Sequence, residues 1–171
     1  MTWGIPTAAF VTIHVVLSLI GIAAGFAVLA GLLKGKAFGS WTTLFLATTI
    51  LTSVTGFPLP PLGIDPPRIV GVISLVLLAL AVIALYIFRL AGAWRWIYTS
   101  CAIAALYLNV FVGVVQAFQK LPFLHPLAPT QSEPPFLVTQ LVVLLIFVGL
   151  GIRTAMVFHP ELGARRTDAT M

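Results

Sequence analysis

IVGVISLVLLALAVIALYIF (69–88) is an uninterrupted run without a charge, closed by Arg68 on one side and Arg89 on the other. Coiled into a helix at about 1.5 Å per residue, such a run matches the ~30 Å hydrocarbon core of a bilayer. Outward from it, the chain repeats the theme. Residues 7–33 form a second apolar run, followed by Lys34 and Lys36. Residues 93–120 and 134–158 form two more, and 41–57 a shorter one rich in threonine. Of the 171 residues, 60% are hydrophobic and 8% charged, against about 25% charged in soluble domains. A soluble fold of this composition would have no surface to offer water. The expectation is an all-α integral membrane bundle of five transmembrane helices (7–33, 41–57, 67–90, 93–120 and 134–158), forming a single membrane domain over 1–171. The 41–57 helix is the shortest of the five.

The basic residues set an orientation. With the N-terminus outside and the C-terminus cytoplasmic, the inner side receives Lys34, Lys36, Arg89, Arg95, Arg153, Arg165 and Arg166, and the outer side only Arg68 and Lys120. That is the positive-inside bias. Trp41, Trp94 and Trp96 then fall at the inner interface and Trp3 at the outer one, as aromatic belts require. No basic segment precedes the first run, so it is expected to be retained rather than cleaved as a signal peptide.

The net charge of +5 is spread singly or in pairs at helix ends and makes no patch, so nucleic acid is not an expected partner. Membrane lipid is, together with a second copy of the chain or a larger membrane complex. The single cysteine, Cys101, rules out a disulfide or a cysteine cluster within one chain. Only His14 among the three histidines falls within an outer helical segment, so a bis-histidine haem site is not expected. His14, His125 and Glu133 have the chemistry of metal ligands but not the spacing, and no cofactor is expected.

The outer loops, PLPPLGIDPP (58–67) and LPFLHPLAPTQSEPP (121–135), hold ten of the twelve prolines, and a tail follows at 159–171. Proline fixes φ, so these loops should be stiff. Each ends in an acid followed by two prolines, Asp65-Pro66-Pro67 and Glu133-Pro134-Pro135, a pattern that suits a helix start.

Polar residues are costly in lipid and face protein or water. On the fourth helix Tyr98, Ala102, Ala105, Asn109, Gly113, Gln116 and Lys120 recur at spacings of three or four and share one face. On the first, Thr7, His14, Ser18, Gly21 and Gly25 do the same, and Gly21-x-x-x-Gly25 favours close helix packing. The second carries Thr48, Thr52 and Thr55 on one stripe with Thr49, Ser53 and Gly56 beside it. The fifth carries Glu133 and Gln140. Each stripe alone is adequately explained as a hydrogen-bonded packing seam. Their depth adds something: His14, Thr52, Ser53, Asn109, Gln116, Lys120, Glu133 and Gln140 all fall in the outer half or at the outer interface. This predicts a polar ligand-binding cavity open to the outside and roofed by the two proline-rich loops. It would serve small-molecule binding or transport, or take a lipid or quinone head group. The alternatives are an accessory subunit of a larger membrane complex and, third, a membrane-embedded enzyme in which Glu133, His14 and Lys120 act as acid, base and electrostatic partner. No catalytic motif accompanies those three, and no acid lies deep in a helix as proton-coupled transport requires.

LTSVTGF (51–57), ALYLNVFVGVVQAFQK (105–120) and LAPTQSEPPFLVTQLVVL (127–144) resemble stretches of a group of small, uncharacterised bacterial multi-helix membrane proteins. The resemblance covers roughly the second to fifth helices. It implies a bacterial inner membrane and no particular activity.

Overall fold

Proline and glycine decide where the helices begin and end. The computed structural model describes residues 2, 4–36, 39–59 and 66–159. Trp3, most of the first proline-rich loop with Asp65, and the tail from 160 with Arg165 and Arg166 lie outside the described residues. Helix α1 (Thr7–Leu32) follows Pro6. It ends where Gly35, at φ 69°, lets the N–H groups of Lys34, Gly35 and Lys36 meet the carbonyls of Gly31 and Leu32. Helix α2 is Gly39–Gly56, α3 Pro66–Val82, α4 Trp94–Lys120 and α5 Pro134–Val157. Both α3 and α5 start on a proline pair, whose missing N–H groups would find no partner in a first turn anyway.

The described residues are helical apart from turns and one isolated bridge between Thr2 and Ile5. Four stretches are long and apolar enough to cross a membrane: Thr7–Leu32, Pro66–Ile87, Trp94–Lys120 and Pro134–Val157. Their outer faces are apolar too. On α5, Leu137, Leu141, Leu145 and Ile152 are all exposed, which suits lipid and not water. The chain is a multi-pass membrane protein.

The helix expected over 67–90 keeps α geometry only to Val82. It then widens into a π turn, Ile83–Ile87. The reversal into α4 has to be made within a few residues, and Gly92 comes too late to make it alone. Arg89 and Leu90 therefore take positive φ, 47° and 61°, at a cost of about 1–3 kcal/mol each. Burial of Leu90 against the core offsets part of that cost, and Phe88 stacks on Trp94 at 3.8 Å between ring centroids.

Helices α1, α2, α3 and α4 form a ring in which each packs on the next and α4 closes onto α1. Helix α5 lies against α4 outside this ring and touches α1 through Phe147 against Phe26. The two ends of the ring differ. At the end carrying Lys34 and Arg89, Val28, Leu32, Phe45, Ala81, Tyr98 and Ala102 pack into a dry core. A smaller cluster of Phe118, Ala128 and Phe136 ties the second proline-rich loop to the other end of α4 and α5. Between these two clusters the ring is not filled.

Candidate functional site

Most helix-borne hydroxyls in this bundle are satisfied within their own helix. Ser18, Thr48, Thr55, Thr99, Thr139 and Thr154 each donate to the carbonyl four residues back, at 2.7–3.1 Å, a standard solution in apolar surroundings. Thr52 and Ser74 do not. Their hydroxyl oxygens are buried and have no hydrogen-bond partner. Buried polar groups are almost always paired, so two exceptions on one feature call for a cause. Both line a cavity of about 570 Å³ enclosed by α1 to α4, within the range typical of small-molecule sites.

Each helix contributes a defined strip. From α1 come His14, Ser18, Leu19 and Ile22; from α2, Thr52, Ser53, Gly56 and Phe57; from α3, Pro67, Arg68, Gly71 and Ser74; from α4, Asn109, Gly113, Gln116 and Lys120. The small-and-polar stripe of α4 thus does two jobs. Tyr98, Ala102 and Ala105 are buried in the dry end, and the continuation from Asn109 onward lines the cavity.

The floor is hydrogen-bonded. Asn109 Nδ2 donates to Thr49 Oγ1 at 3.1 Å, across the diagonal from α4 to α2. Gly21 of α1 backs this pair: a Cβ there would stand 3.2 Å from Thr49 Oγ1, 3.3 Å from Thr48 Oγ1 and 3.6 Å from Asn109 Nδ2. Higher up, His14 Nδ1 lies 2.9 Å from Thr55 Oγ1. The Thr55 proton is directed to the Leu51 carbonyl at 2.7 Å, so Thr55 accepts from His14 and the neutral imidazole carries its proton on Nδ1. Nε2 is then left as an acceptor. Arg68 shapes the wall at the α2–α3 corner: its guanidinium donates to the Leu59 carbonyl at 2.6 Å and to the Phe57 carbonyl at 3.2 Å.

Six of the eight residues singled out from sequence line this cavity: His14, Thr52, Ser53, Asn109, Gln116 and Lys120. Gln140 and Glu133 do not. Gln140 sits on α5, on the far side of α4, where its Nε2 donates to the Phe111 carbonyl at 3.2 Å. Glu133 turns back into its own loop. One carboxylate oxygen accepts from Thr130 N at 3.1 Å and Thr130 Oγ1 at 2.8 Å, the other from Ser132 N at 3.1 Å. Its side chain does not cap α5: Pro134 and Pro135 have no N–H, and that of Phe136 donates to the Glu133 carbonyl at 3.1 Å. Burial pushes this carboxyl up, and the hydrogen bonds from Thr130 and Ser132 outweigh it, so it lies below its ordinary value. The second loop does not roof the cavity either; it folds onto Phe118 and Phe136. His14, His125 and Glu133 form no cluster among the described residues.

Periodicity and depth single out neither Ser74 nor Arg68. A single serine in an apolar run has no periodicity to mark it, and Arg68 read only as an outer flanking charge. No protein family, no curated protein and no solved structure matches the chain.

Proposed function

We propose that this chain is a binding or transport protein of the bacterial inner membrane. Its cavity between α1 and α4, open to the outer side, receives a small molecule or the head group of a lipid or quinone. The observation that carries this is the pair Thr52 and Ser74 on the cavity wall, the two side-chain hydroxyls among the described residues that are buried without a hydrogen-bond partner. The test is an electron cryomicroscopy map of the protein in lipid nanodiscs. Non-protein density within hydrogen-bonding distance of Thr52 Oγ1 and Ser74 Oγ is expected. A collapsed space in which these hydroxyls find protein partners would overturn the proposal.

The topology belongs to the same proposal: five spans, N-terminus outside. Helix α2 has only 18 residues, about 27 Å, and is not among the four stretches apolar enough to cross a membrane. Its hydroxyls Thr48, Thr49 and Ser53 are buried in the bundle, however, while Trp41, Leu44, Leu51 and Val54 are exposed. An apolar outer face with a polar inner one suits a span shielded on one side. Lys34, Lys36, Arg89 and Arg153 mark the inner end. With the buried Cys101 replaced by alanine, a cysteine at Lys36 should react with a membrane-impermeant maleimide only after lysis. A cysteine at Gln119 should react in intact cells. The reverse pattern would overturn the orientation.

A further inference from the structure

We propose that the occupant of this cavity is an anionic phospholipid, its phosphate at Lys120 and its acyl chains leaving sideways between α1 and α4. The inference rests on the binding function proposed above and adds the ligand's class and its route.

The charge comes first. Lys120 lines the cavity at its mouth, is exposed, and has neither ion pair nor hydrogen bond with any described residue. His14 lines the same space, and among the described residues no carboxylate does. Arg68 lines it too, with its guanidinium turned to the Phe57 and Leu59 carbonyls, so the lining's formal charge is positive, and an ammonium at a membrane surface favours an anionic head group over a neutral one.

The route comes from the α1–α4 seam. These helices meet around Gly21, Ile22 and Gly25, where Leu106 and Phe45 pack onto Gly25 and Gly113 approaches Ile22. Phe147 of α5 covers the inner part of the seam by packing on both Phe26 and Tyr107. Outward of these contacts α1 contributes Val15 and Leu19. Both line the cavity and are exposed, Leu19 by 61%. A residue that does both sits on a rim. The opening is therefore lateral, its edge is apolar, and it faces lipid. A ligand with a charged head and hydrocarbon chains satisfies the mouth and the rim together. The hydroxyls deeper in, on Thr52 and Ser74, meet the polar groups of a hydroxylated head such as glycerol.

The experiment is native mass spectrometry of the protein released from nanodiscs of equal phosphatidylglycerol and phosphatidylcholine. Wild type should retain phosphatidylglycerol about fivefold over phosphatidylcholine, the effect of one Lys–phosphate contact at a membrane surface. Lys120→Gln, a surface change that leaves the packing untouched, should abolish that preference, and Ser74→Phe should reduce retention of both lipids by filling the cavity. Equal retention of the two lipids by wild type, still sensitive to Ser74→Phe, would overturn the anionic assignment and leave the cavity's binding role standing. With glycerol 3-phosphate and inorganic phosphate added to the same sample, retention of either with no lipid would show a soluble anion as the ligand and overturn the lateral route. Retention indifferent to Ser74→Phe would overturn the cavity as the site altogether.

Discussion

Gly25→Val should leave almost no folded protein in the membrane, while Gly149→Val should be tolerated. Both glycines lie within transmembrane helices, and composition does not separate them. Geometry does. A Cβ on Gly25 would run into Leu106 Cδ1 and stand 3.0 Å from two ring atoms of Phe45, whereas one on Gly149 would meet nothing within 4 Å. Gly25 is where α1, α2 and α4 converge on the dry end of the bundle, and that end holds the ring closed below the cavity. Adding even one methyl group to a filled core costs about 1–3 kcal/mol, and valine adds three carbons where two neighbours already touch. Native stabilities are about 5–15 kcal/mol, so the loss is a large part of the whole. Gly25→Ala should be intermediate, and Leu106→Ala should partly rescue it because it removes the obstructing atom. Thermal unfolding in detergent, followed by fluorescence-detected size exclusion, measures all of these and the Gly25→Ala/Leu106→Ala double variant. Strictly additive losses for Gly25→Ala and Leu106→Ala would show that the two do not share that contact.

The same pair of glycines shows how far the sequence can be read. Apolar runs and their charged flanks locate the helices, because a bilayer leaves the backbone no other way to satisfy its own hydrogen bonds. Periods of three and four place His14 and Ser18 on one face of α1, and Asn109, Gln116 and Lys120 on one face of α4. They also place Gly25 on a packing face. What periodicity does not give is which neighbour a face meets. Depth groups Gln140 and Glu133 with the cavity, but depth carries no azimuth, and α5 lies outside the ring. Ser74 escaped for the opposite reason: it lies on the cavity wall, and one hydroxyl in an apolar run makes no pattern. The positive φ at Arg89 and Leu90 was equally invisible, since neither is glycine and the strain is imposed by the reversal into α4.

The contrast between Asn109 and Gln140 yields the sharpest prediction about the site. Asn109→Leu should fold and lose its ligand; Gln140→Leu should fold and keep it. Both are amides within apolar helices, and each donates a hydrogen bond from its nitrogen, to Thr49 Oγ1 and to the Phe111 carbonyl respectively. Loss of one such bond in a membrane interior costs about 1 kcal/mol, which either variant survives. Thr49 can turn its hydroxyl to its own helix, as Thr48 and Thr55 already do. The difference lies in what else the amide faces. Asn109 lines the cavity floor, and an isobutyl group there takes space from the head group and leaves one of its polar atoms unpaired, for about 1–3 kcal/mol, or roughly tenfold or more in affinity. Gln140 Oε1 is already buried without a partner on the α5 side of α4, so leucine removes an unsatisfied group and touches no ligand. Lipid retained per protein, read by mass spectrometry beside the unfolding midpoint, separates the two effects. Equal loss of lipid in both variants, with both still folded, would move the site out of the α1–α4 ring and onto the α4–α5 seam.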